Sequence, residues 1–72
     1  MKPPFFEVWD LDSGNRIFHG SLEGAYELVR HVYDHEDWPT LSLGYVDNAG
    51  KTTKVMDGMA LILAAGVKTS AD

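Results

Sequence analysis

The chain has 72 residues, no cysteine, and eleven Asp and Glu against six Lys and Arg, for a formal charge of −5. That length holds one domain, which excludes folds with separate cofactor and substrate domains, and the absence of thiols excludes a disulfide framework or a thiolate zinc site. Acidic balance and scattered basic residues disfavour nucleic acid, because each phosphate contact needs a cation; a basic protein partner fits the charge better.

Met1-Lys2-Pro3-Pro4 leads into a strand-like segment rather than a signal-peptide apolar core, and no run of about 18 apolar residues exists to span a bilayer. A cytoplasmic protein is therefore expected. From Phe5 to Leu11 the chain is rich in aromatic and β-branched residues, with Phe6 and Val8 on one strand face and Phe5, Glu7, Trp9 and Leu11 on the other. Asp12-Ser13-Gly14-Asn15 supplies turn residues, and Arg16 to His19 resumes an extended pattern, so the segment reads as a hairpin.

Gly20-Ser21 breaks the second strand, and Ser21 is placed to cap a helix from Leu22 to about Asp34. At 100° per residue, Leu22, Ala25, Tyr26, Leu28, Val29, Val32 and Tyr33 share one side of it. Glu23, Gly24, Glu27, Arg30, His31 and Asp34 share the other, where Glu27 can pair with Arg30 or His31 and Arg30 with Asp34. Gly24 is a poor helix former for the first turn.

Pro39 forces Trp38 out of helical geometry and opens a loop. Leu41, Leu43 and Tyr45 then alternate with Ser42 and Gly44 as a third strand, Asp47-Asn48-Ala49-Gly50 turns, and Thr52 to Met56 forms the fourth. Asp57 is a candidate N-cap for a short helix over Gly58–Ala65, apolar on every side and stopped by Gly66. The pattern predicts an α+β fold, order ββαββα: a four-stranded, mainly antiparallel sheet, the long helix packed on one sheet face and the short one closing the core. Residues 1–67 form the single domain and 68–72 a flexible C-terminal tail.

Asp10-Leu11-Asp12-Ser13-Gly14-Asn15, followed by Gly20-Ser21-Leu22-Glu23-Gly24-Ala25, resembles the corresponding stretch of a group of small, mostly uncharacterised bacterial ββαββα proteins with an Asp-x-Asp-Ser-Gly-Asn-like hairpin turn. In that group a second hairpin leads to a short small-residue helix, which Asp57-Gly58-Met59-Ala60-Leu61 looks like. The resemblance implies the fold and carries no activity.

Signatures of chemistry are weak. Gly50-Lys51-Thr52 has the end of a phosphate loop, but the position five before Gly50 is Tyr45 and the segment belongs to a hairpin. Asp10, Asp12 and Asn15 have the oxygen ligands of a calcium loop, but Gly14 comes one position early and Ser21 stands where the bidentate Glu belongs. Glu27, His31 and His35 recur every fourth residue and are the metal-ligating candidates, in a row on the polar helix face where solvated side chains also belong. Ser13, Ser21, Ser42 and His19 have no evident nucleophile or base setting, so no catalytic residue and no cofactor are expected. Phe5, Trp9, Trp38 and Tyr45 could stack on single-stranded bases if they shared an open sheet face, against the charge of −5.

The function expected is a small non-catalytic protein-interaction module that self-associates as a homodimer. The alternative is a small regulator that binds nucleic acid or neutralises a toxin-like partner. A chain this short buries only about 60% of its unfolded surface, and one helix covers one sheet face. Phe5, Trp9 and Leu11 on the first strand, and Leu61, Ile62 and Leu63 on the last helix, are the expected interface.

Overall fold

A computed structural model describes residues 2–33 and 40–67. Two strands, β1 (Phe5–Asp10) and β2 (Asn15–Gly20), precede helix α1 (Leu22–Val32); strands β3 (Leu41–Val46) and β4 (Thr52–Asp57) precede helix α2 (Gly58–Ala64). The sheet has the order β2-β1-β3-β4, and every neighbouring pair is antiparallel. No helix among the described residues is long and apolar enough to cross a membrane. The tail 68–72 lies outside the described residues.

Side-chain alternation assigns the two sheet faces. The register places Phe6 opposite Tyr45, Val8 opposite Leu43 and Phe18, and Leu43 opposite Met56, so these residues share one face. Phe6 and Tyr45 touch there, ring centroids 4.9 Å apart. The core forms on this face: Val8, Leu41 and Leu43 pack with Ala25 and Val29 of α1 and with Leu61, Ile62 and the following Ala65 of α2. Phe5, Glu7 and Trp9 point to the opposite face with Ser42, Gly44 and Val46.

The cover on the core face is thus two short helices of 11 and 7 residues, α1 over β1 and β2 and α2 over β3 and β4, where a long helix on the sheet face and a short one closing the core were expected. Within α1 the apolar side narrows toward its end: Ala25 and Val29 are buried, Leu28 is half-buried, and Val32 is exposed. Among the described residues Arg30 forms no ion pair with Glu27, and its Nη1 donates to the Ala65 carbonyl at 2.6 Å; Asp34, its other expected partner, lies outside the described residues. A guanidinium there meets the negative end of α2 and ties the two helices together.

Turn and cap chemistry fixes the connections. Asp10, rather than Asp12, organises the first turn: its Oδ1 accepts from the Asp12 amide at 3.1 Å, its Oδ2 from the Ser13 hydroxyl at 3.1 Å, and its carbonyl from the Gly14 amide at 2.8 Å. Gly14 takes φ 76°, which a side chain would disfavour. Asp47 plays the same part in the second turn, its Oδ1 accepting from the Ala49 and Lys51 amides at 2.9 Å each. The Ser21 Oγ caps α1 by accepting from the Gly24 amide at 3.0 Å. Asp57, expected to cap α2, makes no side-chain cap bond; its carboxylate is held instead by Lys54 Nζ at 3.1 Å. The Gly66 amide donates to the Leu63 carbonyl and the Val67 amide to that of Ile62, which ends α2 where a glycine was expected to stop it.

The glycine in the first turn of α1 also has a packing reason. A Cβ at Gly24 would lie 2.8 Å from Cζ of Phe18, and a Cβ at Gly20 would meet the same atom at the same distance. The Phe18 ring occupies the space that two missing side chains leave, so helix propensity is given up for a close β2–α1 approach.

Candidate functional site

The face opposite the helices carries the most organised polar cluster of the described residues. Glu7 sits at its centre on β1, flanked along the strand by Phe5 and Trp9 and opposed by His19 on β2 and Gly44 on β3. Its residue exposure is only 5%. One carboxylate oxygen, Oε1, accepts from Trp9 Nε1 at 3.0 Å, and the other, Oε2, accepts from Arg16 Nη1 at 2.9 Å. Phe5 packs against His19 with ring centroids 5.8 Å apart.

Burial pushes the Glu7 carboxyl up, but the hydrogen bonds from Trp9 and Arg16 and the charges of Arg16 and His19 outweigh it, so the group ends below its ordinary value. Glu7 is therefore ionised at neutral pH, and its charge is matched by Arg16 rather than left bare. Asp10 is likewise held down: solvent loss raises it, and the bonds from the Asp12 amide and from Ser13 and Thr40 prevail.

On β4 the ion pair Lys54–Asp57 lies on this same face, because Lys54 pairs with Gly44 and Asp57 with Ser42. The face thus holds two acidic and two basic groups that are mutually paired, and the net charge of −5 resides elsewhere on the molecule. Its middle strand contributes Ser42, Gly44 and Val46, all buried, which leaves a low floor between the aromatics of β1 and the polar side chains of β4.

Of the residues expected at an interface, Phe5 and Trp9 are half-buried on this face. Leu11 falls past the end of β1 in the turn and is 55% exposed, its amide bonded to the Thr40 carbonyl. Leu61 and Ile62 have no exposed surface: α2 turns them into the chain's own core, which corrects the expectation that they form an outer patch with Leu63. Leu63 alone of the three faces outward, on the side of α2 that also exposes Met59.

The metal candidates Glu27 and His31 lie on the exposed side of α1, and His35 falls outside the described residues. Among the described residues no three acidic or imidazole groups converge. Tyr45 shares the core face with Phe6, so it does not join Phe5 and Trp9 in an aromatic row, and Trp38 lies outside the described residues. Ser21 caps α1, Ser13 holds the first turn, Ser42 is buried on the open face, and His19 is an exposed neighbour of Phe5. The Gly50-Lys51-Thr52 segment runs from the second turn into β4.

Sequence pattern did not single out the central pair, Glu7 and Arg16. The available signal was an acid placed between two aromatics on one strand face, with a cation beyond the hairpin turn in reach of it. No family model, no curated protein and no solved structure matches the chain.

Proposed function

We propose that the protein is a small non-catalytic protein-interaction module that self-associates through the open sheet face. The observation that carries this reading is the make-up of that face, where Phe5 and Trp9 border a buried Glu7 carboxylate paired with the partly exposed Arg16 and no helix among the described residues packs over them. Aromatic and Arg side chains around a dry centre are the composition that protein interfaces favour.

Charge supports a second copy as the partner. Two chains of −5 repel, and the approach of least repulsion is the one that joins their internally balanced faces. A two-fold axis through the face would bury both aromatics twice with one set of residues. Pairing of the sheets edge to edge through β4 has less support, because Lys54 and an extra residue, Val55, interrupt that strand. Four strands of six residues offer roughly 400 Å² of sheet area a side, so the dimer sits at the small, weak end of specific interfaces, with a dissociation constant on the order of micromolar.

A regulator that binds nucleic acid has less support on this face. Both of its cations, Arg16 and Lys54, are already held by carboxylates, which leaves no uncommitted Lys or Arg on it for phosphate among the described residues. A dilution series followed by amide NMR tests the proposal: concentration-dependent shifts at Phe5–Trp9 and Ser42–Val46 are expected. Shifts confined to the helices, or none, would overturn it.

A further inference from the structure

We propose a second docking site, separate from the open face: the cleft between α1 and the outer edge of β2 takes an extended peptide segment of a partner protein, with an apolar side chain against Phe18 and Leu28 and a Lys or Arg beside it.

The sheet order leaves β2 at an edge, so one row of its backbone donors and acceptors has no neighbouring strand. Such a row is a template for an added strand. Helix α1 packs over β1 and β2 and forms a wall beside that edge. Between wall and edge lies a cavity of about 330 Å³ lined by Phe18, Gly24, Glu27, Leu28 and His31. A second, of about 360 Å³, follows the strand along Arg16, Ile17, Phe18 and His19. The two meet at Phe18, which lines both.

Gly24 keeps the helix end of the cleft open. Any larger residue there would collide with the Phe18 ring, since its Cβ would stand 2.8 Å from the ring's Cζ, so the ring or the helix would have to shift. Phe18 and Leu28 are both half-buried and supply the apolar floor. The uncommitted charge on the rim is acidic: Glu27 is exposed and belongs to neither ion pair of the described residues, and Glu23 borders the adjoining cavity at Gly24 and Glu27, whereas Arg30 of that cavity donates to the Ala65 carbonyl and Arg16 at the strand end is held by Glu7. A cation next to the seated apolar side chain meets that rim, in keeping with the acidic balance of the whole chain.

The bulge at Ile17 limits the regular part of the edge to Phe18–Gly20. An added strand therefore gains two or three backbone hydrogen bonds, and the affinity expected is on the order of tens of micromolar, typical of short extended peptides held by one pocket.

The test uses the full chain and a displayed library of random octapeptides, followed by titration of a selected peptide under amide NMR. Expected are sequences that pair an aliphatic residue with an adjacent Lys or Arg, shifts at Phe18–Gly20 and along Gly24–His31, and loss of binding when single peptide nitrogens are methylated at alternate positions. Glu27→Lys, an exposed change that leaves the thermal melt intact, should weaken the peptide at least tenfold. No enrichment, shifts on Phe5–Trp9 instead, indifference to N-methylation or indifference to Glu27→Lys would each overturn the proposal.

Discussion

The Arg16 guanidinium lies 2.9 Å from a Glu7 carboxylate that is almost wholly removed from solvent, and the indole of Trp9 holds the other oxygen of the same carboxylate. A carboxyl whose folded value is depressed adds stability above its unfolded value, about 4.5, and that stability is lost as pH falls through the lower, folded value. Thermal melts should therefore be flat near neutrality and fall in acid below about pH 4.5. Glu7→Gln should flatten the acid limb. Superimposable acid limbs for the two proteins would show that Glu7 is not coupled to folding. Because Arg16 is 40% exposed and screened by water, Glu7→Ala should cost only about 1–2 kcal/mol at pH 7, mostly through the orphaned indole N–H.

Helix propensity alone says that Gly24→Ala should stabilise α1 by nearly 1 kcal/mol. The 2.8 Å approach to Phe18 says the opposite, a loss of roughly 1 kcal/mol through overpacking. The double variant Phe18→Leu with Gly24→Ala should recover part of that loss, since the shorter side chain vacates the contested space. Urea melts of the four proteins in the cycle measure the coupling; additive effects would mean that the two residues do not meet.

Arg30→Ala should loosen α2 before the rest of the fold, because its guanidinium is the polar tie between the helices at the Ala65 carbonyl. A charged hydrogen bond of this kind is worth about 1.5 kcal/mol, less some screening at an exposed residue. Hydrogen exchange should report it as faster exchange at Ala65, Gly66 and Val67, with β1 and β3 unchanged.

Val29 has no exposed surface, and Val29→Ala should lower stability by roughly 1–2 kcal/mol through lost apolar contact and an imperfectly closed cavity. Glu27→Ala, on the exposed side of the same helix, should change it by less than about 0.5 kcal/mol. Equal losses in urea melts would show that the buried side of α1 is misassigned.

The order of elements and the core side of β1 and β3 were legible because they follow from period-2 and period-3.6 patterns: Leu41, Leu43 and Tyr45 fall together on the helix-covered face as their alternation predicts. Ser21 and Gly66 act as cap and stop for equally local reasons. What escaped the sequence depends on contacts between distant segments. Gly24 looked like a flaw until Phe18, six residues back, was placed against it. Leu61 and Ile62 looked like surface because α2 is apolar all round, and only its seat on β3 and β4 decides which side is spent in the core. Glu7 and Arg16 are nine residues apart and meet only once the bulge at Ile17 sets the hairpin register.

Self-association through the open face is tested most directly by sedimentation equilibrium across the micromolar range on the native chain and on Trp9→Glu. Trp9 is the residue to change, since Ile62→Asp would strike the core and unfold the protein. A native mass that rises with concentration toward two chains is expected, with a variant that stays at one chain while keeping its cooperative melt. A native mass of one chain at every concentration, or a dimer that survives Trp9→Glu, would contradict it.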